Sequence, residues 1–307
     1  MNDIELHIKN YLSYCTLQKR LDNKTIKAYR IDLTQFASHI TETQLTSITQ
    51  TTLELYISHL HQNYQPKTVK RKIASLKALF HYFEYKELIN QNPFSKIQVK
   101  FREPVILPKT IPLQTVEYLL KTIYTQQTNA KTAHQRKDAL RDAAVCELLF
   151  ATGMRISELC SLNTNDIDLR DGTILIYGKG SKERRLQLGN TNVIDALKSY
   201  KNAFSSEIAN CHNFFVNQSG RPLSDQTVRR MITKYTNLAA IDLHITPHMF
   251  RHTFATSLLE ADVDIRYIQE MLGHSSINIT EIYTHVAVSK QRDILVSKHP
   301  RKDFTIF

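Results

Sequence analysis

The chain has 307 residues, with 40 Lys+Arg against 29 Asp+Glu and a formal net charge of +11. That length suits two domains, and 42% hydrophobic with 22% charged residues builds a real core and excludes wholesale disorder. The basic excess favours an anionic partner, nucleic acid or an anionic surface, while only seven glycines argue against a glycine-rich β-sandwich or a nucleotide-binding α/β fold.

The N-terminus, MNDIELHIKN, is charged and amphipathic and has none of the apolar stretch of a signal peptide. Helical spacing then recurs four times: Ile8 and Leu12; Tyr29, Leu33, Phe36 and Ile40; Leu53, Tyr56, Ile57 and Leu60; Ile73, Leu76, Leu79, Phe80 and Phe83. The fourth helix, PKTVKRKIASLKALFHYF, carries Lys67, Lys70, Arg71 and Lys72 around its apolar stripe. Such a run is either a solvated helix face or a helix laid along DNA with its cations on phosphates. Pro93, Pro104, Pro108 and Pro112 crowd into NPFSKIQVKFREPVILPKTIP, which has no helical period and reads as an extended linker. The domains are therefore placed at 1–102 and 113–307, joined by 103–112.

In the second domain, TIYTQQTNAKTAHQRKDALRD is polar and reads as an exposed loop. Further on, DIDLRDGTILIYGKGSKERRLQL alternates short β-rich runs with Gly-containing turns, an antiparallel meander of two or three strands. Helical patterns resume near Val193 and continue past Tyr283. No apolar run approaches the ~20 residues of a membrane span. Cys15, Cys146, Cys160 and Cys211 are scattered, so neither a disulfide framework nor a zinc site is expected, and a reducing cytoplasm is the expected location.

Five places carry candidate chemistry. Arg155 follows Thr152-Gly153, where one helix breaks and another starts. Lys179 sits in the turn GKGSKER. Thr246-Pro247 suits a helix start, and His248 and Arg251, three apart, share a face of that helix. His274 follows Gly273, a candidate left-handed helix end, and Tyr283 lies nine residues on. Singly, each has a plain reading. A helical tyrosine is usually core. His248 and His252 have metal-ligand spacing but no Glu or Cys beside them, so no metal is expected. DIRYIQEMLGHSSINITEIYTHV has the proportions of a helix–turn–helix, the reading head of a DNA binder without enzymatic activity. Together they are what phosphoryl transfer without a metal would need: guanidinium forks for the phosphate oxygens, a phenol nucleophile and a lysine acid for the leaving sugar oxygen.

In order and context, ATGMRISEL, GKGSKERR, HMFRHTFATSLL, LGHSSI and IYTH resemble the tyrosine site-specific recombinases, the phage integrase family, and among them most closely the Xer subgroup of chromosome-dimer resolvases. The resemblance implies a mainly α fold. A helical, SAM-like core-binding domain and a mixed catalytic domain with a small antiparallel β-sheet would form a two-domain DNA clamp. It assigns Tyr283 as nucleophile, forming a 3′-phosphotyrosine, and Arg155, Arg251 and His274 as phosphate ligands. Lys179 would be the acid for the 5′-oxygen, His248 an aid to proton transfer at the tyrosine, and Glu158 the residue that orients the site from behind. It implies no cofactor and no metal. The partners would be double-stranded DNA with inverted-repeat half-sites, a homo- or hetero-tetramer passing through a Holliday junction, a C-terminal tail docked on a neighbouring subunit, and a septal DNA translocase as activator; no membrane is involved. A mobile-element integrase of the same family and a type IB topoisomerase-like nicking and resealing enzyme stay open as alternatives.

Overall fold

The computed structural model describes residues 3–99, 109–178 and 183–273. The fold is mainly helical with one small sheet, and the chain divides into two compact units, Met1–Pro104 and Val105–Phe307.

The first unit holds α1 (Asp3–Leu17), α2 (Asn23–His39), α3 (Gln50–Asn63) and α4 (Pro66–Tyr85). Their starts are set locally. The Asp22 side chain accepts the Lys24 N–H at 2.7 Å, Thr49 accepts that of Thr52, and Pro66 opens α4, where its missing N–H costs nothing. The apolar stripes meet in one core around Leu33, Phe36, Leu53, Leu76, Leu79 and Phe83. Phe94 and Ile97, beyond α4, are buried in the same core, so the front of the proline-rich stretch is packed rather than extended.

The second unit begins with α5 (Leu113–Thr128) and α6 (Ala133–Thr152). The segment expected as an exposed loop is instead the end of α5 and the start of α6. Asn129 closes α5, and Thr132 caps α6 by accepting the Gln135 N–H at 3.1 Å. Its polar residues are largely the solvent faces of two amphipathic helices, not a break in them. Past its first turns α6 is surrounded, burying Ala143, Ala144, Val145, Leu148 and Leu149. Just before α5, Ile111 is buried and its N–H donates to Thr253 Oγ1 at 2.8 Å, so the end of the expected linker is part of this unit's core.

After α7 (Ile156–Ser161) come β1 (Ile167–Asp168), β2 (Thr173–Tyr177) and β3 (Glu183–Gln187), an antiparallel sheet in chain order. The register pairs Ile167 with Ile174 and Tyr177 with Glu183. Then follow α8 (Thr191–Ala203), α9 (Ser205–Ala209), α10 (Asp225–Leu238), α11 (Pro247–Glu260) and α12 (Ile265–Leu272). The core is tied across elements by Tyr200 on α8, whose buried hydroxyl donates to Phe214 O and accepts from Val216 N, both at 2.9 Å. Among the described residues no helix is long and apolar enough to cross a membrane.

Candidate active site

Helix α6 stops at Gly153, whose φ of +58° is left-handed; a Cβ there would lie 2.6 Å from the Phe254 ring. Two residues later Arg155 is the N-cap of α7, and Glu158 stands at its third position. Glu158 Oε2 accepts the Arg155 N–H at 2.8 Å, and Oε1 accepts Arg155 Nη1, also at 2.8 Å. The carboxylate is only 5% exposed, and a lone buried carboxylate would be costly. A second guanidinium offsets that cost: Arg184, from β3, donates Nη2 to Oε2 at 2.7 Å and Nη1 to Oε1 at 3.2 Å. Its Nε donates to the carbonyl of Met271, in the last turn of α12, at 2.8 Å. Burial by itself would raise the Glu158 pKa. The hydrogen bonds from Arg184 and from the Arg155 N–H, with the two positive charges, outweigh it and hold the group below the ordinary carboxylate value.

Arg251 on α11 is likewise buried. Its Nη1 donates to Gly153 O at 2.8 Å and its Nη2 to Leu272 O at 2.7 Å. One guanidinium thus joins the C-terminal ends of α6 and α12, where helix carbonyls carry partial negative charge. Pro247 opens α11, and Thr246 holds the N-cap position without a side-chain cap bond. His248, one turn before Arg251, is exposed, and His252 is half-buried. Burial, then the adjacent His248 and Arg251, depress the His252 pKa below the ordinary histidine value.

Arg155, Glu158 and Arg251 are therefore gathered where the end of α6, the start of α7 and the end of α12 meet, with His248 in the first turn of α11, three residues before Arg251. Lys179, His274 and Tyr283 lie outside the described residues. Their flanks are described: Tyr177 and Glu183 form the last pair of the β2–β3 hairpin whose connection contains Lys179, and Gly273, with φ +64°, caps α12 immediately before His274. Sequence reading missed Arg184. The signal was alternation: Glu183 and Arg185 are exposed and Arg184 between them is buried, so an arginine occupies an inward strand position.

On α4, Lys67 and Lys70 are exposed and Arg71 is half-exposed. Lys72, expected among the DNA contacts, requires correction. It is 2% exposed, and its Nζ pairs with the buried Asp32 at 3.2 Å, bonds Gln35 and lies 4.8 Å from the centre of the Tyr64 ring. An ammonium so enclosed neutralises the core carboxylate of α2, on which Arg71 and Ser75 also converge, and does not reach a phosphate.

Two family models match the chain: the phage integrase family over residues 118–290, and the phage integrase N-terminal SAM-like domain over residues 8–87. The chain belongs to the phage integrase family. A tyrosine recombinase of Agathobacter rectalis is 68% identical over 304 residues, 99% of each chain. Tyrosine recombinase XerC of Bacillus subtilis is 33% identical over 310 residues, 98% of each. Among solved structures, XerH site-specific recombinase bound to its palindromic difH substrate after cleavage matches with a TM-score of 0.75 at 23% identity, over 94% of this chain and 83% of that one, a likeness of fold. The protein is a tyrosine recombinase, a DNA strand-transfer enzyme with homologues in the Xer group.

Proposed function

We propose that the chain cuts and rejoins specific DNA sites by Xer-type recombination, resolving chromosome or plasmid dimers. The Tyr283 oxygen attacks the scissile phosphorus as its proton passes toward His248. The bond from phosphorus to the 5′-oxygen breaks, and that oxygen takes a proton from Lys179. The reverse steps, with the 5′-hydroxyl of the partner strand, release the tyrosine. The bond energy stays in the phosphotyrosine, so no nucleotide is consumed. Arg155, Arg251 and His274 hold the non-bridging oxygens while charge builds on them. Lys67, Lys70 and Arg71 add phosphate contacts from the first unit, and the DNA carries inverted half-sites. Four subunits on two sites, linked by their C-terminal tails, carry the exchange through a Holliday junction in the cytoplasm, with a septal DNA translocase as activator.

The observation that carries this reading is the convergence of two arginines from distant stretches: Arg251 on the Gly153 carbonyl, and Arg155 two residues after it, held by Glu158. The test is trapping. The protein is incubated with a library of nicked suicide duplexes, in which cleavage frees the short fragment that carries the new 5′-hydroxyl and leaves the protein attached. A covalent adduct at the 3′ phosphate, lost in Tyr283→Phe, is the expected result. No adduct from the unaltered chain, or one that survives this substitution, refutes the reading.

A further inference from the structure

Arg184 touches three parts of the site that come from separate stretches of chain. It stands on β3, in the hairpin whose connection contains Lys179. Its Nη1 and Nη2 hold Glu158, which receives Arg155 on the same Oε1 atom. Its Nε holds the Met271 carbonyl at the end of α12. At 8% exposed, with all three nitrogens engaged, Arg184 is committed inward and acts on the reaction through its partners.

The plain alternative is a buried ion pair that only fills space, which an apolar side chain could replace without loss. Two details speak against it. The Glu158 carboxylate is shared: the Arg184 fork and the Arg155 N–H together hold it, and Arg184 Nη1 bonds the same Oε1 that receives the Arg155 guanidinium. The α12 end is also fitted to the guanidinium: a Cβ on Gly273 would come within 3.0 Å of Arg184 Nη1. An apolar residue would supply neither the two donors for Glu158 nor the one for Met271.

We infer that Arg184 is a positioning residue of strand transfer, fixing the Arg155 guanidinium against the scissile phosphate through Glu158 and anchoring the last turn of α12 through the Met271 carbonyl. This rests on the proposed reaction and names a further residue for it.

The test uses the full chain and the duplex recovered by trapping, made with either an ordinary phosphodiester or an uncharged methylphosphonate at the scissile position. A methylphosphonate starts neutral and keeps a single non-bridging oxygen, so its transition state carries less negative charge and leans less on a well-placed guanidinium. Single-turnover adduct formation is measured at saturating DNA for the unaltered chain, Arg184→Lys and Arg184→Met, with Arg155→Lys for comparison. Urea unfolding reports the fold, and Arg184→Lys, which keeps a charge beside Glu158, serves if Arg184→Met unfolds. Both Arg184 variants are expected to cleave the phosphodiester about 100-fold more slowly, the scale of an ångström of misplacement. Most of that loss should vanish on the methylphosphonate, as for Arg155→Lys. Equal losses on both duplexes, or no loss, overturn the inference while leaving the reaction standing. An unaltered chain that forms no adduct removes the reaction itself, and the inference with it.

Discussion

Arg251 reaches from α11 to the last carbonyl of α12, with Nη2 2.7 Å from Leu272 O, one residue beyond the Met271 oxygen that Arg184 takes at 2.8 Å. Two guanidiniums from different elements therefore hold consecutive carbonyls at a helix end, where no intrahelical donor remains for them. The chain leaves toward His274 from a fixed point.

Gly273 is where that arrangement is most exposed to substitution. Its φ of +64° strains any residue with a Cβ by about 1–2 kcal/mol, and the added atom would press on Arg184 Nη1. Gly273→Ala should lower the urea unfolding free energy by about that amount. It should also slow adduct formation at saturating DNA under conditions where the variant is fully folded. Unchanged cleavage by the folded variant would show that the α12 end tolerates the shift.

The basic face of α4 separates into two kinds of residue with opposite signatures. Lys67 and Lys70 are exposed, so replacing both with Ala should reduce the slope of log K against log salt by about 0.9 for each phosphate left without its lysine, with stability unchanged. Lys72→Ala should do the reverse: leave the salt slope alone and cost about 3 kcal/mol in urea unfolding. That is the low end for breaking a buried pair, because Arg71 and Ser75 still hold Asp32. A salt slope lowered by Lys72→Ala would return that lysine to the DNA.

The difference between these lysines also shows what can be read without a structure. Apolar stripes are local, so Leu33 with Phe36, or Leu76 with Leu79, announce their helices by spacing alone. The turn at Gly153, the start of α11 at Pro247 and the cap at Gly273 are local too, and they locate Arg155, Arg251 and the exit toward His274. Lys72 misleads because the carboxylate that draws it inward, Asp32, sits on another helix, and spacing within α4 carries no trace of it. The α5–α6 hairpin misleads because Gln126, Thr128, His134, Gln135 and Arg136 face solvent at helix ends, where polarity looks the same as in a loop. Arg184 lies between: its inward strand position is legible, but its partners Glu158 and Met271 come from distant stretches.

Acid should weaken the second unit partly through His252. Its pKa is lowered in the fold by burial and by His248 and Arg251, so the folded state binds its proton less readily than the unfolded chain does. The corresponding stability is complete above the ordinary value of about 6.5 and is lost as pH falls through the folded value. His252→Gln should therefore show a shallower fall in unfolding free energy than the unaltered chain as pH drops below about 6.5, whatever its stability at neutral pH. Equal slopes for the two proteins would mean that His252 is protonated as easily folded as unfolded.

Glu158 has the same sign at a lower pH and a larger structural stake. Its pKa is depressed in the fold, chiefly by Arg184 and by the Arg155 N–H working against burial. Its contribution is thus present above the ordinary carboxylate value of about 4.3 and lost as pH falls through the folded value. Glu158→Gln keeps the shape but removes the charge and one of the two acceptor oxygens, so Arg184 is left buried beside a single carbonyl. Breaking a buried pair costs about 3–5 kcal/mol. The lower figure applies here, because the Arg155 side chain is 34% exposed and can turn to water. Urea unfolding of Glu158→Gln should therefore show a loss of about 3 kcal/mol at neutral pH that narrows on acidification, as the unaltered protein protonates the same group. Adduct formation should fall with it even at saturating DNA, since Arg155 loses the carboxylate that holds its Nη1. A variant that keeps its stability at neutral pH would show that Arg155 and Arg184 find other acceptors. One that loses stability but cleaves at the parental rate would show that the carboxylate supports the fold and leaves Arg155 to find the phosphate unaided.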